Sequence, residues 1–202
     1  VSSDHITDQA SLAALQNGDA RALDRLVARW QRPLLSFAYR YVQNSADAHD
    51  LVANVFVRLY QKRSTLRPDT NLSAWLFTAL SNLCHNHHRW KRRHPTVPID
   101  AAEMTDDGRP TATLLDELAS PQAGPLTTLA DDEIAQAVRV AVGELPHELK
   151  TAILLHHYEN LSYRDIAAIV RCSERGVETR LYRARQLLRQ RLAELIRETT
   201  SC

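Results

Sequence analysis

Two stretches carry most of the side chains that could do chemistry, and both are cationic. The first is His87-His88-Arg89-Trp90-Lys91-Arg92-Arg93, and the second runs from Arg171 to Arg197 with eight arginines. Either run alone reads as a solvated helix face, but two at the ends of two helical segments point to a polyanion. Residues 162–190 within the second stretch read as a short helix, a tight turn and a longer helix. This is the helix-turn-helix layout, whose second helix enters a DNA major groove. Ala167 is small where the helices would cross, and Val177, ten residues later, fills the gap between them. Four residues after Ala167, where a glycine usually allows positive φ, stands Arg171. Ser173 can cap the second helix. Arg175, Glu178, Thr179, Tyr182, Arg183 and Arg185 point away from its apolar stripe. Arginine can pair with guanine in two hydrogen bonds, and glutamate can accept from cytosine.

A second constellation is Cys84, His85, His87, His88 and His94, with Cys84 and His88 on one helical face. These are zinc-type ligands, but no second ligand pair stands at motif spacing, so neither a metal nor another cofactor is expected. Cys84, Cys172 and Cys202 give no disulfide framework. The sequence shows no glycine-rich phosphate loop, nucleophile elbow or positioned pair of carboxylates, so no enzymatic activity is expected.

The elements that must position these residues are helices. Hydrophobic residues make up 44% of the chain and charged residues 24%, as in ordinary globular proteins, and there are only five glycines. No apolar run is long enough for a membrane helix, and the first residues lack the pattern of a signal peptide. A cytoplasmic protein is expected. Leu12, Leu15, Leu23, Leu26 and Val27 mark an opening helix pair broken at Gly18-Asp19, and Pro33 is placed at the start of the next helix. A helix over 46–61 buries Leu51, Val52, Val55, Phe56 and Leu59 and turns Asp47, Asp50, Asn54, Arg58 and Lys62 outward. After a turn at 67–71, a helix over 72–91 carries the first basic run, with Trp75 in its core stripe. Ile134, Val138 and Val142 line a helix ending near Gly143, and Leu145-Pro146 opens another. Between Pro95 and Asp132 lie eight acidic residues, one basic residue and five of the eight prolines. This reads as a flexible acidic linker, with a short helix near 113–118, that could shield the basic faces. The expected fold is all-α: two small helical domains at 10–95 and 130–197, joined by a linker at 96–129.

Several of these stretches resemble a known family. Leu145-Pro146, Leu161-Ser162-Tyr163-Arg164-Asp165-Ile166-Ala167 and 177–189 are similar to region 4 of bacterial sigma factors, best of all the extracytoplasmic-function (ECF) group. Residues 47–60, Ala74-Trp75-Leu76-Phe77 and the basic run resemble region 2 of that group. The resemblance covers about 15–95 and 130–192. It implies two partners, bacterial core RNA polymerase and promoter DNA, and in many relatives an anti-sigma factor as well. It implies a −35 set on duplex DNA: Ser173, Arg175, Glu178, Thr179, Arg180, Tyr182, Arg183 and Arg185. It implies a −10 set on melted DNA: Asp69, Thr70, Asn71, Arg89, Trp90, Lys91, Arg92 and Arg93. A polymerase-binding set follows: Asp47, His49, Asp50, Asn54 and Arg58. His49 stands where the family usually has an acid, and Ala53-Asn54 where Gln-Glu is common, so weak intrinsic core binding is expected. A charge-adding modification, for example on Ser45, could restore it. Glu178 replaces a basic residue of some relatives and implies an altered promoter preference. The alternative is a helix-turn-helix regulator that needs no polymerase, which leaves the first half of the chain unexplained.

Overall fold

The computed structural model describes residues 2–94 and 129–200, and these residues are helical with short connections. The N-terminal half holds α1 (Ser2–Gln16), α2 (Ala20–Val42), α3 (Ser45–Lys62), a 3-10 turn (Arg63–Thr65) and α4 (Leu72–Arg93). The C-terminal half holds α5 (Leu129–Glu144), α6 (His147–His157), α7 (Tyr163–Val170) and α8 (Glu174–Thr200). The expected linker helix near 113–118 lies outside the described residues.

Caps set the helix starts. Asp19 accepts from the Arg21 N–H, Asn44 from Asp47 and Asn71 from Ala74, each satisfying an amide that the helix cannot. Gly18 has φ +91° between α1 and α2, a conformation that costs glycine nothing. Asp8 on α1 accepts from the Trp30 indole N–H on α2 at 3.2 Å. The stripe of α3 is buried as its periodicity predicts, and it packs with Phe37, Leu76, Phe77 and Leu80. Trp30 and Phe37 meet Phe77 edge-on, with centroids 6.2 and 5.7 Å apart. Trp75 is half-buried and packs against this core.

Two expectations are corrected. Pro33 does not begin a helix, because α2 runs through it. Its ring removes one backbone bond, a cost of about 3 kcal/mol in a helix interior. Leu26 before it and Leu34, Leu35 and Phe37 after it are all buried. At about 1.5–3 kcal/mol for each buried side chain, packing outweighs the break. Ile134 is 57% exposed rather than turned into the core.

The helix-turn-helix forms at α7 and α8. Ser162 Oγ accepts from the Asp165 N–H at 3.2 Å and donates to Asp165 Oδ2 at 2.6 Å, so the serine and the acid close the first turn together. Ala167 and Val177 are buried at the crossing. Arg171 ends α7 at φ 52°, ψ 55°, the left-handed conformation for which glycine is usual. Its Cβ is strained there while its side chain is exposed. Arg171→Gly should therefore raise stability by about 1 kcal/mol in urea denaturation. A loss of stability would show that the arginine side chain contributes more than its backbone strain costs.

Candidate nucleic-acid interface and the cleft beside it

The outer face of α8 is polar and open. Arg175, Glu178, Thr179, Tyr182, Arg183 and Arg185 are exposed, Tyr182 by 61%. Ser173 begins the face, and its Oγ is engaged as a cap by the Gly176 N–H at 3.1 Å. Arg180 does not join this face. It is half-buried, 2.9 Å from Glu148 Oε2, and donates to the Val170 carbonyl at 3.2 Å. Its guanidinium ties α8 to α6 and to the end of α7. Spacing alone could not assign it, because Arg180 lies on the border of the apolar stripe.

In the N-terminal half, Asp69 is bridged to Arg67 at 3.0 Å and is exposed. The Thr70 N–H closes the turn on the Arg67 carbonyl. Asn71 Oδ1 accepts from the Ala74 N–H and from Ser73 Oγ, so its oxygen is committed to starting α4. Arg89, Trp90, Lys91, Arg92 and Arg93 are exposed at the other end of α4, where cations also favour the helix dipole. Trp90 is 48% exposed and stacks on His94 at 5.1 Å, leaving a flat surface among cations.

On α3, His49, Asp50, Asn54 and Arg58 are exposed. His49 Nδ1 and Asn54 Nδ2 bond back to the Ser45 and Asp50 carbonyls of their own helix. Asp47 was expected to face outward, but it is half-buried against α4. It accepts from Lys91 Nζ, and His87 Nε2 lies 3.2 Å away. Burial pushes the Asp47 carboxyl up, but the Lys91 hydrogen bond and the charges of His87 and Lys91 together hold it below its usual range. Val57 and Tyr60 add exposed apolar surface to α3, 52% and 46% exposed, which sequence reading did not single out. Their signal was a pair of large apolar residues off the buried stripe.

The zinc-type constellation does not assemble. Cys84 is fully buried, and burial pushes its thiol up to about 12. Among the described residues no three His, Cys, Asp or Glu side chains are gathered as metal ligands.

Sequence reading did not foresee that the two halves pack together. Tyr41 Oη and His147 Nδ1 are 2.7 Å apart, and His85 stacks on His147 with ring centroids 4.1 Å apart. Ser36 Oγ donates to Glu159 Oε1 at 3.0 Å, and Thr78 Oγ1 to the Ile169 carbonyl at 3.3 Å. A cleft of about 530 Å³ opens between α4 and the start of α6. Burial pushes His147 down to about 4, helped by the charge of His85. Burial also lowers His85 and His88, with Arg89 adding to the effect on His85 and Lys150 to that on His88. Lys150 is held down to about 8 by burial. Glu159 is pushed the other way, up to about 7, because its burial outweighs Ser36 and Arg40.

Two helical modules in this order, the second a helix-turn-helix with an open polar face, define a DNA-binding transcription factor. The Sigma-70 region 2 family matches residues 26–94, and the Sigma-70 region 4 family matches 135–188. The RNA polymerase sigma-H factor of Pseudomonas aeruginosa is 31% identical, over 95% of this chain and 96% of its own length. The ECF RNA polymerase sigma-E factor of Escherichia coli is 32% identical, over 96% and 99%. The chain belongs to the sigma-70 family, in its ECF group. The fold resembles CnrH in its complex with the cytosolic domain of CnrY, with a TM-score of 0.67 and 22% identity over 93% of this chain and 98% of that one. It also resembles the sigma factor RpoE in complex with the anti-sigma factor NepR from Bartonella quintana, with a TM-score of 0.57 and 22% identity over 84% and 96%.

The opposite shifts of His147 and Glu159 give a test of the contact between the halves. His147 is depressed, so its share of the closed state is complete above about pH 6.5 and is lost as pH falls toward 4. Glu159 is raised, so its share is complete below about pH 4.5 and is lost as pH rises through 7. Glu159→Gln should leave a protein whose halves part as pH falls from 7 to 5. His147→Gln should leave one whose halves close further over the same range. Fluorescence energy transfer between the halves reads both slopes, and equal slopes would refute the assignment.

Proposed function

We propose that this chain binds core RNA polymerase and directs initiation at promoters, with α8 reading the −35 element in duplex form. The open polar face of α8, held in place by the buried Ala167–Val177 crossing, carries this reading. Residues 10–95 act as region 2, 96–129 as linker and 130–197 as region 4. The 67–71 turn and the basic end of α4 engage the melted −10 strand: cations meet the backbone, and Trp90 offers a stacking surface. Asp47 serves this indirectly by fixing Lys91. The exposed face of α3, with Asp50, Arg58, Val57 and Tyr60, meets the polymerase. The protein acts in the cytoplasm and catalyses nothing itself; the polymerase supplies the chemistry. Among the described residues no helix is long and apolar enough to cross a membrane. An anti-sigma factor is a fitting regulator, as for the Bartonella relative.

Length decides how the two elements are reached. Positions −35 and −10 are on the order of 85 Å apart on B-form DNA, at about 3.4 Å per base pair. A compact chain of this size is roughly 45 Å across. Reading both elements therefore requires the two halves to part. Residues 95–128 are long enough to allow this, reaching up to about 115 Å when fully extended.

Run-off transcription with core polymerase on a genomic promoter library tests the reading. Promoter-specific transcripts support it, and promoter binding without core would favour the stand-alone regulator. Arg183→Ala should cost about 1–3 kcal/mol of discrimination at one −35 position if it reads a base. An equal loss on all sequences assigns it to a phosphate. His49→Glu with Asn54→Glu should tighten core binding in a direct titration, and an unchanged affinity would remove the case for a weakened acidic patch.

A further inference from the structure

We propose that the cleft between the halves is a binding site for a compact, multiply charged phosphate-bearing anion, held by Arg89 and Arg92 of α4 and by Lys150 and the amino end of α6. The inference concerns binding by the free chain and does not depend on the promoter reading.

Phosphate-binding groups converge there from both sides. Arg89 and Arg92 line the cleft and are exposed to it, and guanidinium groups can each take a phosphate in two hydrogen bonds. Opposite them, α6 begins at His147 after Pro146, which offers no side-chain cap; the Leu149 and Lys150 amides bond to the Pro146 carbonyl, which leaves those of His147 and Glu148 at the helix start beside the cleft. Uncapped amides at the positive end of a helix are an anion site when further cations join them. Lys150 is that addition. It is 2% exposed and lines the same cleft. Among the described residues its three donors have one acceptor, the Tyr41 carbonyl, at the long distance of 3.4 Å, and its ammonium lies 4.7 Å from the Tyr41 ring centroid. A buried ammonium so poorly compensated is costly unless an anion completes it. His85, His88 and His147 are depressed chiefly by burial and, neutral, supply ring N–H groups without adding repulsion. Glu144 is the carboxylate closest to opposing an anion, but it is held in a two-pronged pair with Arg191 at 2.6 and 3.1 Å. Glu148, also at the start of α6, is paired with Arg180.

Size and charge select the ligand class. A volume of about 530 Å³ suits a small molecule, and two guanidiniums with one ammonium balance about three negative charges. A di- or triphosphate group fits both. Because its contacts come from both halves, such a ligand binds the closed state and would hold the halves together.

Inorganic pyrophosphate is the probe, titrated calorimetrically into the full chain at pH 7.5 and constant ionic strength. Saturable one-to-one binding is expected. It should weaken at least tenfold in Arg92→Ala on the α4 side, and equally in Lys150→Met and His147→Gln on the α6 side. Arg32→Ala, on the outer face of α2, should leave it unchanged. Thermal melts add a second readout. Lys150→Met should melt no lower than the parent without ligand, yet lose the upward shift that pyrophosphate gives the parent. Three outcomes overturn the proposal. One is no saturable binding at millimolar pyrophosphate. Another is equal weakening by Arg32→Ala, which would mean general charge screening. The last is sensitivity to Arg92→Ala alone, which would assign the phosphate contact to a nucleic-acid strand on α4.

Discussion

Tyr41 and His147 meet at 2.7 Å across 106 residues of sequence, and the relation between the two halves turns on that contact. The Tyr41 ring packs on Phe37 in the N-terminal core, while His147 is the first residue of α6. Their hydrogen bond seats α6 against α2 and brings His85 into a stack with His147. Desolvation raises the Tyr41 hydroxyl and lowers the His147 imidazole, so both are neutral in the contact. Neutral partners can be buried at modest cost, whereas a charged imidazole beside His85, Lys150 and the α4 arginines could not.

The contact joins two bodies that each present an arginine-rich face. The basic end of α4 and the arginine-rich α8 each suit a nucleic-acid backbone, and neither favours the other's company. Polar bridges hold the halves where α2 and α4 meet α5, α6 and α7: Ser36 to Glu159, Gln43 to the Arg139 carbonyl and Thr78 to the Ile169 carbonyl. Beside these bridges, buried apolar side chains of both halves, Val142, Leu154 and Ile169 among them, join one continuous cluster, part of which opening would expose. Opening is nonetheless what two well-separated DNA elements demand. In the proposed function the same side chains serve two arrangements: Arg89 and Arg92 line the cleft in the closed form and meet a DNA strand when the halves part.

Much of the individual helices was legible in advance. The α3 stripe and the Ala167–Val177 crossing follow from side-chain type at fixed spacing, whereas at Arg171 the spacing marked the turn but its left-handed φ runs against the residue type. Pro33 was misread because its local cost is visible in sequence, while the burial of Leu34, Leu35 and Phe37 that overrides it is not. Asp47 looked outward by periodicity, and Arg180 stood in the DNA set only through the family resemblance. Each is claimed by a partner far along the chain, Lys91 for one and Glu148 for the other.

The sequence alone determined most of the helices, the segregation of charge and the family, because each rests on neighbours within a few residues or on motifs read in order. Only the tertiary structure decided which charges are free and which are spent. It also decided that His85, His147, Lys150 and the α4 arginines share one cleft. The physical reason is that burial and charge pairing depend on distance in space. No local pattern encodes that residue 41 will lie beside residue 147.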